Sequence, residues 1–172
     1  TCALPISIGT INVRTGDTDA TPATTFSVVR VKQDIMRRSN IGLLYTGHSH
    51  GLARPETSQA YGVDATIGLY DNWTINTYWA KSESPGVNGR DTSYRGNVTY
   101  NGDRWGLQLE ELRVNEGFNP ETGFLRRSAF DRQYGSFRFS PRPRRARLVR
   151  KYSYSVNYDY IATPQGRLES RD

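Results

Sequence analysis

Between Gln59 and Val114 apolar and polar residues alternate with a period of two. In Tyr61, Val63, Ala65, Ile67 and Leu69 every second residue is apolar or aromatic, with Gly62, Asp64, Thr66 and Gly68 between them. After Asp71-Asn72 the alternation resumes with Trp73, Ile75, Thr77 and Trp79, and Thr74, Asn76 and Tyr78 take the other face. A second hairpin follows the same plan: Tyr94, Gly96, Val98 and Tyr100, a turn at Asn101-Gly102-Asp103, then Trp105, Leu107 and Leu109. That period predicts half-buried strands and excludes a helix. The spacing puts them at 58–70, 72–82, 91–101 and 103–114. Strands of soluble domains usually run about 5–6 residues, whereas crossing a bilayer as a tilted strand takes about 9–11. An antiparallel, up-and-down transmembrane β-barrel is therefore the expected fold.

The rest of the chain extends the pattern. Strands are expected at 5–14, 25–33, 39–47, 134–140 and 148–161, with the start of a tenth after Thr163-Pro-Gln-Gly166. In the first, Ile6 and Ile8 are out of phase with Ile11 and Val13, which predicts a bulge near Gly9-Thr10. Connections then sort by parity, short at 34–38, 71–72, 101–103 and 141–146 and longer at 15–24, 48–57, 83–90 and 115–132. Short turns at one rim and longer loops at the other are what an outer-membrane barrel shows. The short connection after the ninth strand departs from that rule. Tyr70, Trp73, Tyr100 and Trp105 flank the short turns, and Tyr61, Trp79 and Tyr94 lie at the opposite strand ends. These seven are the expected aromatic girdles, since Tyr and Trp suit a depth where one end is apolar and the other hydrated.

Composition sharpens the picture. Only 35% of the 172 residues are apolar and mean hydropathy is -0.70, yet 11 Tyr, 3 Trp and 6 Phe are too many, and too regularly placed, for a disordered chain. A barrel reconciles these values, because only the outward half of each strand must be apolar. No apolar run approaches the ~18 residues of a membrane helix. Cys2 is the sole cysteine, so neither an internal disulfide nor a cysteine metal site is expected. The absence of an initiator Met and signal peptide, and an end within a strand-like segment, are read as a piece of one longer barrel domain spanning 1–172. The charge of +6 is compatible with nucleic acid, anionic lipid or an anionic solute, and its distribution must decide.

Segments 14–35 (RTGDTDATPATTFSVVRVKQDI), 93–110 (SYRGNVTYNGDRWGLQLE), 117–127 (GFNPETGFLRR) and 137–143 (FRFSPRP) resemble an uncharacterised family of bacterial outer-membrane β-barrels. Members of that family carry the barrel behind an N-terminal domain similar to family-nine carbohydrate-binding modules. The resemblance covers nearly the whole chain. It implies a barrel larger than these strands, an N-terminal module and closing strands outside this sequence, and a bacterial outer-membrane location. No catalytic residue carries over, and any link to saccharide rests on the module.

Candidate residues fall into four groups. Asp64, Asn76, Arg95, Asn97, Gln108, Glu110, Lys151, Asn157 and Asp159 occupy the polar phase of their strands and are expected to line a lumen. Glu110 and Glu111 are neighbours, so they point to opposite faces and cannot work as an acid–base pair. The segment Phe118, Asn119, Pro120, Glu121, Gly123, Phe124, Arg126 and Arg127 lies in the longest loop, where Pro120 and Gly123 predict a turn; it either constricts the lumen or plugs it. Asp17 and Asp19 alternate as cation-loop carboxylates do, but no third acid or closing Glu accompanies them, so turn-forming roles are expected. His48 and His50 are the only histidines, and Ser49 with His50 is the only pair worth testing for chemistry. The arginine-rich run 138–151 is read as a basic turn at the rim, with some Arg paired inside the barrel, in preference to nucleic-acid binding.

The expected function is thus a pore or surface-docking scaffold for a solute such as a saccharide. Its partners are outer-membrane lipid and the remainder of its barrel; neither a cofactor nor nucleic acid is expected. Two alternatives remain: a membrane-anchored glycan hydrolase whose active part lies outside this sequence, and a soluble all-β binding module. Enzymatic activity is left open, leaning against.

Overall fold

The computed structural model describes residues 4–17, 23–50, 57–87, 89–120, 122–123, 125, 127–143 and 150–171, with His50 described in its backbone only. Ten strands form one antiparallel sheet in sequence order: β1 (Ile6–Arg14), β2 (Thr24–Met36), β3 (Ser39–His50), β4 (Thr57–Leu69), β5 (Trp73–Glu83), β6 (Thr92–Asn101), β7 (Trp105–Val114), β8 (Phe130–Phe139), β9 (Tyr154–Ala162) and β10 (Leu168–Arg171). The described residues contain no helix. β1 and β10 are the two open edges, and the backbone of each strand lies against that of its sheet neighbours.

Register follows the alternation, because residues paired across strands share a face. One continuous row runs Ala65, Thr77, Gly96, Glu111, Gln133, and the next runs Ile67, Ile75, Val98, Leu109, Gly135. This first face is apolar through its middle. The other carries the rows Asp64, Tyr78, Arg95, Leu112, Arg132 and Thr66, Asn76, Asn97, Glu110, Tyr134, Asp159. Among the described residues no second layer packs on the apolar face. Among apolar residues only Val114, Phe118 and Ala162 are buried, while Leu43, Val63, Leu109 and Val156 are exposed at 40–70%.

Several boundaries differ from the pattern-based reading. The β1–β2 register is unbroken from Ile6–Gln33 to Arg14–Thr25, so no bulge interrupts Gly9-Thr10. Ile6 and Ile8 therefore face one way, Ile11 and Val13 the other, and all four are exposed. An edge strand uncovered on both faces is under no pressure to keep its phase. β2 runs to Met36, which leaves Arg37-Arg38 as the turn, and β3 runs to His50, cutting its loop to 51–56. Tyr70 does not belong to β4: it opens the turn with a left-handed φ of 52°, a backbone region that costs a side chain with a Cβ roughly 1–2 kcal/mol. β8 starts at Phe130, four positions before the expected Tyr134, and β9 starts at Tyr154, leaving 150–153 outside the strand, while Leu148 and Val149 lie outside the described residues. The connection 140–153 is consequently long, and the length parity holds only for the three turns at 37–38, 70–72 and 102–104.

Candidate functional site

On the polar face carboxylates and guanidinium groups meet across strands. Arg30 on β2 forms a two-pronged pair with Asp64 on β4, one prong being Nη2 to Oδ2 at 2.8 Å. The pair spans β3 at Gly42, where a Cβ would lie 2.8 Å from Asp64 Oδ1 and closer still to the Arg30 guanidinium. Only glycine leaves that passage open.

Further along, Glu110 on β7 accepts hydrogen bonds from Arg95 and, at 3.1 Å, from Asn97 Nδ2, and stands 3.6 Å from Arg132 Nη1. Arg132 in turn donates to Asp159 from Nε at 2.8 Å and Nη2 at 2.6 Å. The Glu110 side chain is only 7% exposed, whereas Arg95 and Arg132 are 40% and 33% exposed. The acid is therefore the desolvated member and its two cations reach solvent. Neutral groups continue the ladder: Thr66 Oγ1 to Asn76 Oδ1 at 3.1 Å, Thr99 Oγ1 to Asn97 Oδ1 at 3.0 Å and Ser136 Oγ to Asn157 Oδ1 at 2.8 Å. Gln108 lies between Thr99 and Ser136 in the next row.

Every expected lumen residue except Lys151 sits on this face. Lys151 precedes β9 and stands 3.7 Å from Asp103 in the turn between β6 and β7. Arg30 and Arg132, which the pattern had not singled out, complete the ladder. Arg30 was legible in the alternation of Val29, Arg30 and Val31; Arg132 was not, because Asp131-Arg132 reads as loop.

The loop after β7 folds onto the polar face. Asn115 and Gly117 donate from their backbone N–H to the carbonyls of Thr92 and Arg90 at 3.1 and 2.9 Å. Gly117 approaches so closely that a Cβ would meet Gly89 O at 2.9 Å. Asn119 N–H donates to Ser82 Oγ at 2.9 Å, and Phe118 is buried at 8% exposure. Gly123 N–H donates to Pro120 O, which closes the expected turn. Ala60, Gly62, Ala80 and Ser82, small residues in alternate positions, provide the seat. Between loop and sheet is a cleft of about 330 Å³ lined by Val28, Leu44, Ala60, Ala80, Phe118 and Pro120. Outward, Arg127 pairs with Glu169 and Glu116 accepts from Gln165. Glu121, Phe124 and Arg126 lie outside the described residues.

Burying a Phe contributes roughly 1.5–3 kcal/mol, so Phe118→Ala should release this segment. We expect faster trypsin cleavage at Arg127 with the strands still resistant. Unchanged cleavage would mean that Phe118 does not hold the loop.

Charge on the apolar face lies toward one end, with Glu111 one row further in than Arg113. Gln59 Nε2, Tyr61 Oη and Lys81 Nζ donate to Glu83 at 2.8, 3.0 and 3.0 Å, and Arg113 grips Asp131 through two bonds of 2.6 Å. In the same rows lie Tyr61 and Trp79, their rings 6.3 Å apart, and Tyr94 with the Arg113 guanidinium 5.8 Å from its ring. At the opposite end Trp73 meets Tyr100 at 4.9 Å and Trp105 meets Phe139 at 4.3 Å. Of the expected aromatic rows only Tyr70 stands apart, in its turn.

The remaining candidates lead elsewhere. Asp17 accepts from Ala23 N–H at 3.2 Å and so braces its loop, and Asp19 lies outside the described residues. His48 stacks on Phe26 at 4.8 Å, whereas the His50 side chain lies outside the described residues. Ser49 and His50 are adjacent in β3, and their pairing lies outside the described residues. No group of three or more His, Cys, Asp or Glu that could hold a metal ion occurs among the described residues. Compared with known protein families, curated proteins and solved structures, the chain shows no match.

Proposed function

We propose that this sheet is part of an outer-membrane β-barrel whose polar face lines an aqueous passage constricted by the 115–129 loop. The observation that carries the reading is the uncovered apolar face. Large side chains lie exposed on most of the long strands, no second layer packs on them among the described residues, and most charges lie toward one end, level with the aromatic residues there. In water such a face is an aggregation surface; in lipid it is the expected solvent-facing half of a barrel. The opposite face supports the reading from the other side. It carries the ion pairs Arg30–Asp64, Arg95–Glu110 and Arg132–Asp159, whose cations reach solvent, which is tolerable facing water and ruinous facing acyl chains. Backbone groups at the β1 and β10 edges also need partners inside a bilayer, so the proposal includes further strands that close the barrel.

The function is then passage of a small polar solute, with a saccharide the first to test, and the chemistry is binding rather than bond-breaking. The protein reconstituted in a planar bilayer should carry stepwise current, and Phe118→Ala should raise the open fraction by loosening the loop. Current at background level for both proteins would contradict the passage.

A further inference from the structure

The net charge of +6 is concentrated at one end of the sheet. Strand order sends the connections 37–38, 70–72, 102–104 and 140–153 to the same end. By sequence these hold nine basic residues against Asp71 and Asp103, while the remainder of the chain, with fourteen basic and fifteen acidic residues, is close to neutral.

The basic groups in the middle of the strands are mostly spoken for. Arg30, Arg95, Arg113 and Arg132 each hold a carboxylate. At the turn end Arg142 and Lys151 share Asp103, at 2.6 and 3.7 Å, and Arg38 caps the Tyr70 and Asp71 carbonyls at 2.9 and 3.2 Å. Arg37, Arg104 and Arg150 are exposed and have no acidic partner among the described residues. One step inward on the apolar face come Trp73, Tyr100, Trp105 and Phe139, and past them Ile75, Val98 and Leu109. The order is basic, aromatic, apolar along the β6–β7 and β8–β9 hairpins. It matches the depth order of phosphate, headgroup boundary and acyl chain in a phospholipid leaflet.

We propose that the short-turn end is a docking surface for the phosphates of anionic phospholipids in the adjacent leaflet. The proposal rests on the membrane reading above and adds which lipid and which residues. Duplex nucleic acid would also reward clustered arginines, but it would leave the aromatic row and the apolar face beside it uncovered; a leaflet covers all three zones together.

Vesicles of phosphatidylcholine alone, and of phosphatidylcholine with a minor share of phosphatidylglycerol, separate the possibilities. At low salt the protein should partition more tightly into the anionic vesicles, by about fivefold per unpaired arginine, and high salt should abolish the difference. Arg37→Gln, Arg104→Gln and Arg150→Gln together should remove the preference while insertion, read as a heat-sensitive shift in gel mobility, persists. Arg14→Gln, Arg90→Gln and Arg167→Gln remove the same charge from the opposite end and should leave it intact. Equal partition into both vesicles, or equal loss in both triple variants, overturns phosphate docking and leaves the membrane reading standing. Binding to neither vesicle overturns both. Salt-sensitive binding of a short duplex DNA, tighter than vesicle binding and lost only in the first triple variant, assigns the surface to nucleic acid and overturns the proposal.

Discussion

Leu109→Arg should destabilise the protein in a bilayer by about 2–4 kcal/mol, the cost of a cation at mid-depth on a lipid-facing strand. Leu109 is paired with Val98 and Gly135 in the middle of the apolar face and is 52% exposed. In water an arginine at so exposed a position would be close to neutral, so sign and size separate the two environments. The same strand supplies its own control. Arg113, two rungs beyond Glu111 on that face, is already an arginine and is gripped by Asp131. Moving a charge along β7 should therefore give a depth profile, steep at Leu109 and shallower at Leu107, level with Tyr100, and at Arg113, level with Tyr94. Unfolding by urea from lipid vesicles measures it, and a flat profile near zero would remove lipid from the account.

Glu110→Leu should carry the second large effect. The acid is nearly desolvated and serves Arg95, Asn97 and Arg132 together. Removing one member of a buried pair costs about 3–5 kcal/mol because the other charge stays behind. Here both arginines reach solvent and Arg132 keeps Asp159, so about 2 kcal/mol is the expected loss once solvent screening is allowed for. Adding Arg95→Met should recover part of it, since the stranded charge is then gone. Strict additivity of the two substitutions would mean that the pair is not coupled across β6 and β7.

How much of this was readable in the chain depended on what each segment packs against. From β3 to β7 one face differs from the other, so alternation fixes phase and register together, and Asp64, Asn76, Arg95, Asn97, Gln108 and Glu110 share the polar face as the pattern puts them. At β1 no such contrast exists, and an apparent phase slip was only an unconstrained edge. Near the long-loop end both faces are polar, as Asp131, Arg132 and Gln133 show, so the start of β8 was hidden. The Leu148–Tyr154 stretch erred the other way. Its alternation continues past the point where pairing with β8 begins, at Phe139 and Tyr154. The seat of the loop was unreadable for a different reason: Ala60, Gly62, Ala80 and Ser82 matter by being small, and smallness becomes a signal only when the partner is known.

The central claim is that two solvents meet this sheet, lipid on one side and water on the other. Spin labels placed singly from Tyr94 to Tyr100 in the lipid-reconstituted protein test it most directly. Labels at 94, 96, 98 and 100 should be relaxed by oxygen and shielded from an aqueous nickel reagent, and labels at 95, 97 and 99 should show the reverse. Uniform accessibility to the aqueous reagent along all seven positions would contradict the account.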